Sequence, residues 1–371
     1  MSISRTKLPV IQTTALPPLY AAWIDELLAG PIPRETDATC DDCAMLSDAG
    51  TEAESGETFF NPETKCCAYV PELPNYLVGR MLADRDAAFA KGRATVVERL
   101  QAGVGVTPLG MEPPPIFSVL YGRSSATLFG QSRSLRCPHY LADEGGRCGV
   151  WKHRASVCAT WHCKYVRGAT GMTFWQTLHK LLSTIEQSLA RWCVHELDPG
   201  GDALKLLFPL GEESARTHVD PHALDGAPEP KKQRALWGNW AGREAEFYQE
   251  CARLVELLKW PDVLALSDPA ARIYARMTGA AYGQLMSAEL PKALKVGSFR
   301  CDRLKGDTQV INSMELPHAL LEALPYFDGR PTQHALAAIR AERGIILHRA
   351  LVRKLVDFQI LVSCEQPSGA S

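Results

Sequence analysis

Cysteines are the residues of this chain whose type and spacing point most clearly to chemistry. Eight of the twelve lie between residues 40 and 163, and these are Cys40, Cys43, Cys66, Cys67, Cys137, Cys148, Cys158 and Cys163. Two residues separate Cys40 from Cys43, a spacing that lets both sulfur atoms turn toward one metal ion. The later cysteines would supply the remaining ligands, so all eight are predicted metal ligands.

The eight thiols are enough for two four-cysteine zinc sites, or for one four-cysteine iron–sulfur cluster with spare thiols. Soft sulfur ligands favour zinc or iron over magnesium or calcium. Adjacent side chains of an extended segment point in opposite directions, so Cys66 and Cys67 need not bind the same ion. The predicted cofactor is therefore an iron–sulfur cluster or zinc, and the grouping of the ligands stays open.

Other side chains around the second cysteine group complete the predicted site. Candidate nitrogen ligands, or hydrogen-bond donors to cysteine sulfur, are His139, His153 and His162. The aromatic residues expected to wall the site are Tyr140, Trp151 and Trp161. Gly145 and Gly146 predict a turn directly before Cys148.

Composition limits the class of protein. At 371 residues the chain can bury a full core, so neither metal nor disulfides are needed for folding. A formal charge of −2 argues against nucleic-acid or anionic-membrane binding. The first twenty residues lack an apolar signal core, so we expect a cytoplasmic protein with reduced thiols. Thiols that only pack, and disulfides, are the alternative interpretations of the cluster.

Apolar periodicity predicts a mainly α fold with an irregular cysteine-rich metal-binding region. Residues 102–150 carry many glycines and prolines and are expected to be mostly irregular or to form short strands. From Phe174 to Trp192 the apolar spacing predicts a long amphipathic helix. The predicted domains are a cysteine-cluster domain at 1–197, a linker or surface loop at 198–236, a helical segment at 237–292 and a C-terminal module at 293–365.

The C-terminal module is predicted to be α+β and winged-helix-like. Two short strands, at 293–304 and 307–314, are followed by three helical patterns. Thr332 follows the turn sequence "DGRP" and is predicted as a helix N-cap. A basic face with His348, Arg349, Arg353 and Lys354 leaves DNA binding as a minor alternative for this module.

The cysteine pattern resembles a known bacterial family. The order CxxC, then CC before aromatic and proline residues, then "CPHYL" and "GRCGVWKHR", is similar to the CxxCxxCC proteins described as zinc- or iron-chelating. The likeness covers residues 40–165, with Arg154 near that family's arginine-proline segment. Here 22 residues separate Cys43 from Cys66, and Ala155 stands where proline is typical. Because the family includes flagellin lysine N-methylases, the resemblance implies protein methylation as one activity.

"FDGRPTQHALAAI" followed by "ALVRKLVDFQIL" is similar to the small winged-helix peptide-recognition domains of the PqqD type. That resemblance implies a peptide or protein partner.

Two functional hypotheses follow, and neither assigns catalytic residues. The first is a cytosolic metalloprotein whose iron–sulfur or zinc centre supports protein or peptide modification, or electron transfer. The second is a non-enzymatic adaptor that joins structural zinc to a peptide- or protein-binding module. No P-loop, HExxH, GxSxG or EF-hand motif is present.

Overall fold

Most of the computed structural model is helical, and short strands between the helices pair into small antiparallel sheets. The structure describes residues 16–35, 43, 45–46, 60–209, 228–298, 301–303, 308–311 and 314–364. It divides the chain into a first unit, Met1–Cys163 with Leu178–Arg276, and a second unit, Lys164–Thr177 with Met277–Ser371. The predicted fold class, mainly α with an α+β C-terminal module, is confirmed.

The helices of the described residues are α1 (Pro18–Leu27), α2 (Asn75–Ala83), α3 (Ala90–Ala102), α4 (Pro115–Leu128), α5 (Ser156–Thr160), α6 (Gly168–Leu197), α7 (Gly201–Leu207), α8 (Pro230–Trp237), α9 (Glu244–Glu256), α10 (Trp260–Leu266), α11 (Ala270–Met286), α12 (His318–Ala323), α13 (Thr332–Arg343) and α14 (Arg349–Asp357). The strands are β1 (Leu73–Pro74), β2 (Val106–Thr107), β3 (Gly110–Met111), β4 (Tyr140–Leu141), β5 (Arg147–Cys148), β6 (Ala293–Val296), β7 (Cys301–Arg303), β8 (Thr308–Ile311), β9 (Met314–Pro317), β10 (Asp328–Pro331) and β11 (Leu361–Ser363). Within the described residues, no helix is long and apolar enough to cross a bilayer.

The long helix predicted from apolar spacing is α6, which runs for 30 residues. Its apolar stripe is fully buried at Phe174, Leu178, Leu181, Leu182, Ile185 and Leu189. The first ten residues of α6 belong to the second unit and the remainder to the first. Burial of such a stripe stabilises each unit by removing apolar surface from water.

The core of the first unit is built where α2 packs against α9. Tyr76, Phe247 and Tyr248 are fully buried there. The helices approach closely at Gly79, since a β-carbon on this residue would lie 1.8 Å from the carbonyl oxygen of Tyr248. A residue without a side chain is therefore required at this crossing.

The Gly79→Ala substitution is expected to destabilise the first unit by at least about 2 kcal/mol, because it forces the two backbones apart. Gly122→Ala is the matched control. Gly122 also lies inside a helix, but its added β-carbon meets no atom within 4 Å, so this change should stabilise by about 0.5–1 kcal/mol through helix propensity. Urea unfolding followed by circular dichroism measures both. Equal effects at the two positions would contradict the packing described.

Short strands and turns position the segments that carry the cysteines. β1, β3 and β2 form one small antiparallel sheet, and β4 pairs with β5 with Tyr140 opposite Cys148. The predicted turn before Cys148 is present, with φ of 74° at Gly145 and 72° at Gly146. These left-handed values suit glycine.

The region 102–150, predicted to be irregular or to form short strands, contains a 14-residue helix, α4. Pro115 is its first residue, where a missing N–H and a preset φ cost nothing. Most of the region is irregular or forms two-residue strands, as predicted, but the glycine and proline content gave no sign of this helix.

In the second unit, β6 pairs with β10 and β11, while β7, β8 and β9 form another antiparallel sheet. Leu294, Phe327 and Leu355 lie in a core packed by α12, α13 and α14. The predicted helices at 315–327, 332–342 and 347–361 correspond to these elements. Thr332 is the first residue of α13 and not its N-cap, and its hydroxyl donates to the carbonyl of Pro291 at 2.7 Å.

The segment predicted as a linker or surface loop, 198–236, lies partly outside the described residues, at 210–227. The described parts of this segment are not loop only, since they contain α7 before residues 210–227 and nearly all of α8 after them. In the predicted helical segment 237–292 the structure places α9, α10 and α11. The domain boundaries proposed from the sequence stay a prediction.

Candidate metal centre

Cys66 and Cys67 follow a tight turn in the first unit. The N–H of Lys65 donates to the carbonyl of Asn61 at 2.8 Å, and that of Cys67 to Thr64 at 3.0 Å. Lys65 adopts a φ of 49°, a left-handed conformation that is uncommon for lysine. The hydroxyl of Thr64 holds the turn by donating to the carbonyl of Gly130 at 2.7 Å. The adjacent cysteines therefore lie on a curved and anchored backbone.

A backbone hydrogen bond joins this turn to the second cysteine segment. The N–H of Cys137 donates to the carbonyl of Cys67 at 2.6 Å. The carbonyl of Cys137 then accepts from the N–H of Tyr140 at 3.1 Å, which leads into β4. Since β4 pairs with β5, the position of Cys148 follows from the same contacts.

Cys158 reaches the site from the short helix α5. Its N–H donates to the carbonyl of Ala155 at 3.0 Å, in the first turn of the helix. The flanking residues Ala155 and Ala159 are almost completely buried.

These segments surround a cavity of about 300 Å³ in the first unit. Five thiols line it, from Cys66, Cys67, Cys137, Cys148 and Cys158. Its aromatic wall consists of Tyr69, Tyr121, Phe129, Trp151 and Trp161. We call this space the thiol cavity.

The five thiols line one cavity, but their sulfur atoms do not surround a common point. Among the residues that the structure describes, no three His, Cys, Asp or Glu side chains are placed so that they could hold one ion. The sulfur donors therefore fit a metal group that prefers thiolate ligands. To bind a single ion, the sulfur atoms would have to move closer together.

The thiols lie close enough to change one another's pKa values. The hydrogen bond between Cys67 and Cys66 lowers the pKa of Cys66, with help from the charges of Lys65 and Arg154, and raises the pKa of Cys67. Burial raises the pKa of Cys137 to about 11. Burial, followed by the charges of neighbouring thiolates, raises the pKa of Cys158 well above its ordinary value.

Arg154 places a positive charge beside these thiols. Its guanidinium lies 3.5 Å from the ring centroid of Trp151 and donates to that residue's carbonyl at 2.9 Å. Its Nε donates to the carbonyl of Cys158 at 3.3 Å. Only the family resemblance singled out Arg154 in the sequence, because an arginine gives no signal for stacking by itself.

The other predicted cysteine ligands differ in placement. Cys40 lies outside the described residues. Cys43 does not line the thiol cavity. Burial raises the pKa of Cys43, and the thiolate charge of Cys66 adds to that increase. Cys163, three residues after α5, is also not among the lining residues. The structure thus brings five of the eight predicted ligands together.

The candidate histidines do not line the thiol cavity either. Nδ1 of His139 lies 2.7 Å from the hydroxyl of Thr95, and burial lowers its pKa to about 3. Nε2 of His153 lies 2.8 Å from a carboxylate oxygen of Asp84. Burial lowers the pKa of His162 to about 4. For His139 and His153, the contacts describe structural histidines.

The aromatic wall combines expected and unexpected residues. Trp151 and Trp161 line the cavity as predicted, whereas Tyr140 donates its hydroxyl proton to the carbonyl of Pro62. Tyr121, from the middle of α4, and Phe129, just after its last residue, were not predicted. The signal for Tyr121 was the apolar run "PIFSVLYG", whose helical spacing was obscured by the prolines before it.

The chain matches no family model, no curated protein and no solved structure. The resemblances drawn from the cysteine pattern and from the C-terminal module therefore stay predictions.

The unequal acidities predict how alkylation of the metal-free protein depends on pH. Because a lowered pKa leaves more thiolate at a given pH, the iodoacetamide reaction of Cys66 should reach its half-maximal rate at a lower pH than that of Cys137. Cys67→Ala removes the hydrogen bond to Cys66 and should shift the Cys66 midpoint upward. Peptide mass spectrometry across pH 5 to 10 reports each site. Identical plots of alkylation rate against pH for Cys66 and Cys137 would contradict the unequal pKa values.

Proposed function

We propose that the first unit is a metalloprotein domain whose thiol cavity holds a thiolate-ligated metal centre. One observation carries the proposal: five cysteines from three separate chain segments line a single cavity. Packing alone brings together only two cysteines in the described core of this unit, Cys193 on α6 and Cys251 on α9. Convergence of five is what a ligand set requires.

The electrostatics of the cavity support a cation there. The charges of Cys148 and Cys137 both raise the pKa values of Cys67 and Cys158, so these four groups resist simultaneous ionisation. A bound metal cation removes that penalty, since metal binding displaces thiol protons. The ligands that we propose come from the five lining thiols, Cys66, Cys67, Cys137, Cys148 and Cys158.

The size of the cavity favours an iron–sulfur cluster over a single zinc ion. A structural zinc site is closed, with four sulfur atoms at about 2.3 Å from the metal and no room between them. In a four-iron cluster each cysteine binds its own iron atom, so the four sulfur atoms lie farther apart. A cavity of about 300 Å³ has room for such a cluster, and the described thiols are not placed around one point.

Such a cluster supplies one-electron transfer when bound. Around it, the aromatic wall and the apolar side chains would exclude water and so set the potential. Trp161 remains 55% exposed, which brings one edge of the wall to the protein surface. The proposed role is electron transfer, or support of a protein or peptide modification, by a protein of the cytoplasm.

The test is metal analysis of protein purified without air. Iron and acid-labile sulfide bound to brown protein are the expected result, and Cys137→Ser or Cys148→Ser should lose most of the iron. Cys364→Ser is the control, because Cys364 is exposed in the second unit. Measuring bound iron, sulfide and zinc per chain decides the outcome.

Colourless protein with stoichiometric zinc would instead support the adaptor with a structural zinc site. Metal content unchanged by Cys137→Ser and Cys148→Ser would exclude the thiol cavity as the binding site.

A further inference from the structure

Glu186 is the carboxylate buried behind the thiol cavity. It lies on α6 with 7% of its surface exposed, among the apolar residues of that helix. Within the described part of the chain, no lysine, arginine or histidine forms an ion pair with it. Burying an uncompensated carboxylate is costly, and burial raises the pKa of Glu186 to about 7.

Three donors converge on this carboxylate. One oxygen accepts from the backbone N–H of Ser156 at 2.7 Å and from the hydroxyl of Tyr20. The other oxygen accepts from the hydroxyl of Ser156. Two of the three bonds therefore hold a single residue, the first of α5.

Helix α5 depends on such outside support. It has only five residues, too few to be stable alone. Its N-cap residue, Ala155, offers no side-chain acceptor to the first N–H groups. Glu186 accepts the N–H of Ser156 in its place, from a different helix.

The short helix also forms the partition between two spaces in the first unit. On one side lies the thiol cavity, which Cys158 lines. On the other lies a cleft of about 400 Å³, which Ser156 and Glu186 line. Ala155 and Val157 line both spaces. A residue that fixes the cleft side of α5 therefore sets the direction of the Cys158 thiol on the other side.

We propose that Glu186 is a positioning residue, which anchors α5 through Ser156 and so directs the thiol of Cys158 into the thiol cavity. The inference rests on the proposed metal centre for its functional meaning. The hydrogen bonds that support it are all between residues of this chain. A carboxylate is suited to the task because its two oxygens can accept from the N–H and the hydroxyl of one residue at once.

Alkylation of metal-free protein tests the positioning directly. In Glu186→Ala, Cys158 should react with N-ethylmaleimide about tenfold faster than in the wild type, whereas Cys137 should keep its rate. Glu186→Gln retains an acceptor for the Ser156 N–H and should restore most of the protection. Glu196→Gln, on an exposed part of the same helix, is the matched control and should change neither rate.

Two further variants separate positioning from general stability, and they apply if Glu186→Ala fails to fold. Ser156→Ala removes a bond between the carboxylate and α5, whereas Tyr20→Phe removes the bond between the carboxylate and α1. Positioning predicts faster Cys158 alkylation in Ser156→Ala and little change in Tyr20→Phe. Equal acceleration at Cys158 and Cys137, or equal effects of the two variants, would overturn the proposal.

Metal binding gives the second readout. Loss of the anchor should weaken metal binding about 10- to 100-fold, as for other residues that orient a ligand, measured by competition with a chelator. If the wild type binds no metal while Cys158 still responds to Ser156→Ala, the proposed function fails and the positioning stands. If the wild type binds metal while Cys158 is indifferent to Ser156→Ala and Glu186→Ala, the positioning fails alone.

Discussion

The hydrogen bond from the Cys137 N–H to the Cys67 carbonyl is the contact on which the site depends. It joins two irregular segments 70 positions apart in the chain. A buried backbone group cannot be left unsatisfied without cost, so this single bond fixes the approach of the two segments. The turn at Lys65, the β4 and β5 pair and the aromatic wall are arranged around it. Three of the lining thiols, Cys66, Cys67 and Cys137, are held on its two sides.

Electrostatics then defines what the cavity can contain. Burial and the charges of neighbouring thiolates raise the pKa values of Cys137 and Cys158, while the hydrogen bond with Cys66 raises that of Cys67 and lowers that of Cys66. Arg154 supplies one fixed positive charge, stacked on Trp151. Glu186 contributes from behind α5 through hydrogen bonds and not through its charge. The arrangement combines five sulfur donors with a mainly apolar wall, which is the basis of the proposed metal centre.

Much of the fold followed from local patterns, as α6, the helices of the second unit and the Gly145–Gly146 turn show. Patterns failed where context reverses the meaning of a residue. Pro115 begins α4 instead of ending a helix, and Thr332 enters α13 while its hydroxyl bonds to Pro291. Glu186 gave a faint signal, a carboxylate inside an apolar helical stripe, but its partners Tyr20 and Ser156 lie 166 and 30 positions away.

Residue types and apolar spacing were enough to predict soft sulfur donors and the helical framework, since residue type sets ligand softness and apolar spacing sets helical faces. Which thiols meet depends on how the segments pack in three dimensions. Five cysteines share a cavity, while Cys43 and Cys163 stay off its wall and His139 and His153 have other partners. The physical reason is that loops carry no repeating pattern that encodes their pairing. Contacts such as Cys67 with Cys137, or Glu186 with Ser156, form between segments that become neighbours only when the helices pack.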